Sequence, residues 1–322
     1  MKFRPLALVL SAFALLAPAV MAQQVTVPPL VRLIIPFPAG GSTDVLARAM
    51  APQLAARLKT TVIVDNRPGG SSLIGSSAVA KGPADGSQLL FTTNSLVTAI
   101  ATMRQIPFDI NKDLIPISMV SEGPMVIAVN ANSPFKNPAD LMAAARAKPN
   151  ELTYGTSGVG TFLHLSTEWL NDAAKVQTKH IPYKGAAPAA MDLASGTIDF
   201  MLTARASILP HVQSGRVRLI GVTSRNPSAA FPGLPPLASV APGFSVDLWA
   251  IVFAPSGTPA SLIELFNREI NEVAKTKEIL ALMEVEGALP VDIKPAQLAS
   301  RFRESTGIWK QIATSKNIVI DQ

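Results

Sequence analysis

The chain has 322 residues and no cysteine, 28 lysines and arginines against 22 aspartates and glutamates, and 48% hydrophobic residues with only 16% charged. That composition excludes a disordered or collagen-like chain and any disulfide framework. The small basic excess is scattered at helical spacings without interleaved aromatics, which favours anionic small molecules as partners and argues against nucleic acid.

Residues 1–22 read as a secretory leader. Lys2 and Arg4 precede an apolar run from Leu6 to Ala17, and Val20-Met21-Ala22 ends in the small residues expected before a cleavage site near Ala22. The run is too short to span a membrane comfortably, and no later stretch approaches about 18 uninterrupted apolar residues. Without cysteine there is no acylated-cysteine anchor either. Removing 22 residues leaves 300 and, with Lys2 and Arg4 gone, lowers the formal charge from +6 to +4. The expected product is a free periplasmic protein, not membrane-embedded, whose length suggests two domains.

Beyond the leader, short β-rich runs alternate with amphipathic stretches of helical length, the pattern of an α/β protein with largely parallel sheets. Val31 to Ile35 reads as a buried strand. The loop Pro36-Phe37-Pro38-Ala39-Gly40-Gly41 follows, then Ser42-Thr43-Asp44 as the cap of a helix carrying Val45, Leu46, Ala49, Met50 and Leu54 at helical spacing. Thr61 to Asp65 is a second strand. Asn66-Arg67-Pro68-Gly69-Gly70 turns the chain into a short helix near Ser72 to Ala80, and Gln88 to Thr92 supplies a third strand.

The pattern restarts at the strand Val126 to Val129 and the helix Pro138 to Lys148. Leu152 to Tyr154 is then a strand, Gly155 to Gly160 a loop, and Thr161 to Asn171 a helix. Thr178 to Tyr183, Ile198 to Thr203 and Val217 to Thr223 read as further strands, with helices starting near Ala187 and Ile208. Phe231 to Gly243 is a Pro-rich loop, Leu248 to Ala254 a strand, and the tail is helical from Ala260, Lys277 and Pro295. The apolar spacing of Leu262, Leu265, Phe266 and Ile270 marks core packing. A chain that leaves one α/β unit after residue 124 and returns at 246 makes two crossovers. We therefore expect one lobe over residues 23–124 and 246–322, a second over 125–245, and a ligand in the cleft between them.

The informative constellation is a pair of loops, Pro36 to Asp44 and Tyr154 to Thr161, each placing small residues between a strand end and a helix start. Helix N-termini carry unsatisfied N–H groups and partial positive charge, so each loop is suited to a carboxylate or phosphate. Ordinary turn chemistry produces either loop alone; the two together suit a clamp on a dicarboxylate. Neither fits a dinucleotide turn or a phosphate loop, so no nucleotide cofactor is expected. His164, His180 and His211 are too separated for a local metal pair, and no metal is expected. His164 lies in the first turn of the second loop's helix, where it either reaches a ligand anion or serves as a capping side chain. Asp44 would repel a carboxylate ligand and is assigned to organising its loop. Lys184 and Arg205 are anion candidates with a solvent-facing alternative. Asn94, with Thr92 and Thr93, lies at a strand's carboxyl end, where α/β sheets gather ligands, or simply caps a turn. No nucleophile elbow, zinc motif or paired carboxylates recommend catalysis.

The motifs Ile35-Pro36-Phe37-Pro38-Ala39-Gly40-Gly41-Ser42-Thr43-Asp44, Asn66-Arg67-Pro68-Gly69-Gly70, Tyr154-Gly155-Thr156-Ser157-Gly158-Val159-Gly160-Thr161 with His164-Leu165, and His180-Ile181-Pro182-Tyr183-Lys184-Gly185 closely resemble the Bug family. So do Asp192-Leu193 with Gly196 and Ala254-Pro255 with Gly257-Thr258-Pro259. These are exported solute-binding proteins of tripartite tricarboxylate transporters. The resemblance implies a two-lobe periplasmic-binding-protein (Venus flytrap) fold, each lobe a mostly parallel sheet flanked by helices, with a ligand carboxylate held between the two loops. Carried onto this chain, the implied contacts are Phe37, Ala39, Gly40, Gly41 and Ser42 from one lobe and Thr156, Ser157, Thr161 and His164 from the other. Asn94, Gly185 and Ala187 line the far end. Thr203-Ala204-Arg205-Ala206 stands where many members place an acidic or aromatic residue, and Thr203 and Arg205 would favour a second anionic group on the ligand. The expected function is capture of a di- or tricarboxylate, or an aromatic carboxylate, by a cofactor-free monomer that delivers it to membrane permease subunits. A sensor subunit for a signalling partner, or an enzyme acting on a carboxylate, are the alternatives.

Overall fold

The computed structural model describes residues 26–320, so the leader over residues 1–22 lies outside the described residues. β1 (Leu30–Ile35), α1 (Ser42–Leu58), β2 (Thr61–Asn66), α2 (Leu73–Ala80), β3 (Gln88–Thr93) and α3 (Ser95–Thr102) follow one another as strand–helix units. β1 is apolar apart from Arg32 because both of its faces are covered. Val31, Leu33 and Ile35 share a core with Leu46, Met50 and Leu54 of α1, while Ile34 belongs to the core on the other face.

A short helix α4 (Ile110–Asp113) runs into β4 (Leu114–Pro124), the longest strand of the fold. The second series is β5 (Val126–Asn130), α5 (Pro138–Ala147), β6 (Thr153–Thr156), α6 (Phe162–Ala174), β7 (Lys179–Pro182), α7 (Ala186–Ser195), β8 (Phe200–Thr203), α8 (Arg205–Gln213) and β9 (Val217–Val222). β10 (Asp247–Pro255), α9 (Ala260–Ala274), α10 (Lys277–Glu286), β11 (Leu289–Pro290) and α11 (Pro295–Ser315) complete the described chain. Alternation alone does not reveal β4. Ser118, Ser121, Glu122 and Gly123 interrupt its apolar run, and Pro116 sits where its pairing with β10 slips register.

Two sheets result, ordered β11-β4-β10-β3-β1-β2 and β7-β6-β8-β5-β9. The expected parallel pairing holds for β3-β1-β2 and for β7-β6-β8. The remaining pairings are antiparallel, so both sheets are mixed and not mostly parallel. The reason in the first sheet is topological. β4 carries the chain out to β5 and β10 carries it back, so two adjacent strands at the crossing run in opposite directions, with Asp247 facing Pro124.

The cores of the two sheets join. One cluster runs from Ile34 and Leu90 through Met125 and Trp249 to Ile127 and Phe200. Edge-on aromatic pairs tie α6 to α11, with Phe162 and Trp169 at 5.2 and 5.8 Å from Trp309. Leu262, Phe266 and Ile270 of α9 are buried against the first sheet, the core role that their spacing indicates. Among the described residues, no helix is long and apolar enough to cross a membrane.

The crossing holds an ionisable group under strain. Burial pushes the Asp247 carboxyl up to about 6, Glu122 adds to the effect, and Arg301 opposes it. The native state therefore binds this proton more tightly than the unfolded chain does, and stability present below pH 3.8 is lost as the pH rises through 6. Asp247→Asn should raise stability by about 1–2 kcal/mol at pH 8 and leave it nearly unchanged at pH 4, read from urea unfolding at both pH values.

Candidate functional site

The loop between β1 and α1 is shaped by a buried carboxylate. Asp44 Oδ2 accepts the Gly40 N–H at 2.9 Å, and both of its oxygens accept from Arg48 Nε. Asn66, at the end of β2, donates through Nδ2 to Asp44 Oδ1 and to the Phe37 carbonyl, and its own oxygen accepts from the Arg48 guanidinium at 2.7 Å. Burial pushes the Asp44 carboxyl up, but the hydrogen bonds from Arg48, Gly40 and Asn66 and the charge of Arg48 outweigh it and hold the group below its usual range. The loop-organising role read for Asp44 is thus carried by four named contacts.

The helix start differs in detail from the expected cap. Gly41 is the N-cap, in extended conformation, and Ser42 is already helical. No side chain caps the helix, so the first-turn N–H groups keep their capacity for an anion. Ala39, Gly40, Gly41 and Ser42 are exposed, whereas Phe37 is half-buried and packs on the first core. Gly40 has φ +88°, the left-handed region in which a side chain is strained.

A cavity of about 220 Å³ opens at this helix end, lined by Gly40, Ser42 and Thr43, by Thr93 at the end of β3, by Ser121 of β4, and by Ala206 in the first turn of α8. It therefore takes residues from beyond the carboxyl ends of strands in both sheets. Leu46, Leu248, Trp249 and Met283 make its walls largely apolar. Glu286, the last residue of α10, also lines it and accepts the Ala206 N–H at 3.1 Å. The anion position at the α8 N-terminus is thus filled by the chain itself. Burial raises the Glu286 carboxyl above its ordinary range, against hydrogen bonds from Ala206 and Arg205 and the charge of Arg205.

The second loop lies elsewhere. None of Gly155 to Thr161 is on the lining of this cavity. A side chain at Gly160 would meet Thr102 and Ile320, so this loop rests on the end of α3 and on the chain's last described residues. The buried Thr156 hydroxyl meets Gly158 and His180 Nε2, the latter at 2.7 Å, and Thr161 donates to the Gly158 carbonyl. Ser157 is half-buried. His164 is 6% exposed and faces inward, its Nδ1 accepting the Gly160 N–H. His180, 16 residues away in sequence, stacks on it with ring centroids 3.8 Å apart. Strand pairing brings these rings together, which sequence separation conceals.

The parallel neighbours β6, β7 and β8 place their following loops at one sheet edge. Gly185 is the N-cap of α7 with φ +116°, and Ala187 is exposed in its first turn. Thr203 is fully buried at the end of β8, and its hydroxyl lacks a partner. Arg205 lays its guanidinium over Phe231 at 5.4 Å, along a different groove from the cavity at α1. The Asn94 amide is occupied in both directions: it donates to the Asp247 carbonyl and accepts from the Trp249 N–H, so it braces β10 against the end of β3. Among the described residues, no group of three or more His, Cys, Asp or Glu is arranged to hold a metal. Sequence reasoning passes over Ser121, whose strand is unread, Trp249, whose strand is read but carries no loop motif, and Glu286, at the end of a helix remote in sequence from both loops.

A family model described as tripartite tricarboxylate transporter family receptor matches residues 46–318. BugT of Bordetella pertussis is 35% identical over 282 residues, which are 87% of this chain and 86% of that one. A solved R. palustris protein with adipate superposes with a TM-score of 0.80 at 30% identity, covering 90% of this chain and 98% of that one. The periplasmic binding protein BugD superposes with a TM-score of 0.79 at 27% identity, with the same coverage of each chain. The fold is that of these periplasmic binding proteins.

Asp44→Ala removes the acceptor that sets the loop and leaves Asn66 and Gly40 N–H groups unpaired. The expected cost is about 2–3 kcal/mol at pH 7. Because the Asp44 carboxyl is held low, its contribution is present above pH 3.8 and is lost as the pH falls below it. The difference between the variant and the unchanged protein should shrink accordingly in acid, measured by denaturant titration.

Proposed function

Because this chain belongs to the tripartite tricarboxylate transporter family of receptors, we propose that it captures a small carboxylate at the N-terminus of α1 and surrenders it to permease subunits of such a transporter. The family comprises periplasmic solute-binding receptors, Bug proteins among them, and not enzymes. One observation carries the reading: an exposed, uncapped helix N-terminus, shaped by buried Asp44, opens on a cavity lined from both sheets. A helix end of this kind favours an anion by about 0.3–2 kcal/mol before any direct hydrogen bonds are added.

The apolar walls suit a ligand with a hydrocarbon body behind its carboxylate. Adipate, present in the R. palustris relative, is such a molecule. A second carboxylate has no place at the α8 N-terminus while Glu286 occupies it. It would instead meet the N-termini of α6 and α7 when the lobes close. In this reading the lobes are residues 23–124 with 246–322 and residues 125–245, they hinge at the β4–β10 crossing, and Phe37, Ala39, Gly40, Gly41 and Ser42 face Thr156, Ser157, Thr161, Gly185 and Ala187 across the ligand. The mature protein works in the periplasm as a monomer, with its leader removed near Ala22.

Adipate and related carboxylates should raise the melting temperature of the ligand-free protein, since binding to the native state alone adds about 2.7 kcal/mol at a hundredfold excess over Kd. Gly41→Asp separates the site from the fold. An aspartate at this extended N-cap position would cap α1 and keep or slightly raise stability, while its carboxylate fills the anion position. The variant should fold normally and lose the ligand-induced shift; an undiminished shift would remove α1 as the anchor.

A further inference from the structure

We propose that His164, backed by the stacked ring of His180, is a positioning residue for the second loop: its neutral ring accepts the Gly160 N–H and so holds Gly158 to Thr161 in place for the ligand. This rests on the binding reading above, but the hydrogen bond and its test do not. The Gly160 N–H points at His164 Nδ1 from 3.0 Å, so Nδ1 carries no proton and the neutral ring must be the tautomer protonated on Nε2. Adding a proton to Nδ1 would set two donors against each other in a buried space. The Gly158–Gly160 segment would then have to move.

The surroundings favour the neutral state. Tyr154 stacks on both rings, at 6.4 Å from His164 and 5.0 Å from His180, and Phe200 packs against Tyr154. A charge on one ring would lie against the other at 3.8 Å. The charged groups around the stack are already engaged. Glu168 of α6 accepts the Tyr154 hydroxyl, Lys316 at the end of α11 pairs with Glu168 and Asp172, and Lys179 of β7 is exposed. Burial pulls His164 down to about 4. His180 is likewise pulled to about 4 by burial and by the charge on His164, against the favourable charge of Glu168. Both rings are therefore neutral at pH 7, and stability falls as the pH drops from 6.5 towards 4, where the unfolded chain takes up protons that the folded one refuses.

The test uses two variants and two readouts. Asparagine places an amide oxygen near the Nδ1 position and cannot become cationic; phenylalanine keeps the ring and loses the acceptor. In the unchanged protein, nuclear magnetic resonance should find His164 Nδ1 without a proton and Gly160 amide exchange protection that drops about tenfold or more between pH 7 and pH 4. His164→Asn should keep that protection at both pH values, and His164→Phe should lack it at both. With adipate as the probe at pH 7, His164→Phe should bind about tenfold more weakly, with His164→Asn near the unchanged protein. Full Gly160 protection in His164→Phe, or the same acid loss in His164→Asn as in the unchanged protein, overturns the proposal. So does unchanged adipate affinity in His164→Phe when Gly41→Asp abolishes binding, an outcome that leaves the α1 anchor standing. If adipate fails to bind the unchanged protein while Gly160 protection follows the expected pattern, the positioning role of His164 stands and the ligand reading is what falls.

Discussion

Two strands lying side by side organise this molecule. β4 leaves the first sheet and β10 returns to it, and their antiparallel pairing runs from Leu114 opposite Pro255 to Pro124 opposite Asp247. Because the outgoing and returning segments are hydrogen-bonded to each other, both crossings sit at one place, and the shared core and the α6–α11 aromatic pairs add to that connection. Asn94 fastens the returning strand through Asp247 and Trp249, and Trp249 donates to Glu122 on the outgoing one. The carboxyl edges of the two sheets then meet at the cavity beside α1, where Thr93, Ser121 and Ala206 come together.

Polar groups near that cavity have divided roles. Asp44 is a carboxylate placed at a helix N-terminus, yet it is turned back into the loop by Gly40, Arg48 and Asn66, so its charge does not cap the open first turn of α1. Glu286 does the reverse, reaching from α10 to fill the N-terminus of α8. The pair leaves α1 as the open anion position on the cavity. Hydrogen bonds between buried partners are stronger in this low-dielectric setting, and they fix the loop before any ligand arrives.

Much of the fold is legible from periodicity, because buried parallel strands and amphipathic helices have distinct apolar spacings. β1, β2 and β3, the strands β5 to β9 and the helices of the tail lie within a few residues of their expected positions. β4 and α3 escape that reading. β4 mixes serines, a glutamate and a proline bulge into its apolar run, and α3 is a short, almost wholly buried helix whose polar residues Ser95, Thr98 and Thr102 are uncharged. The mixed character of both sheets is equally invisible, since strand direction depends on where the chain crosses and not on the residues of any one strand.

For the site, the two loops are legible in the residues alone. Gly40-Gly41 and Gly155 to Gly160 mark turns into helices, and turn chemistry acts over a few neighbouring residues, so it can be read locally. What each side chain does there follows from packing between distant parts of the chain. His164 and His180 meet because β6 and β7 pair, Asn94 is consumed by a strand more than 150 residues away, and Arg205 lies over Phe231. Ser121, Trp249 and Glu286 reach the cavity from a crossing strand, a returning strand and a helix end. Such contacts depend on distances in space between residues far apart in the chain, and no local pattern encodes them.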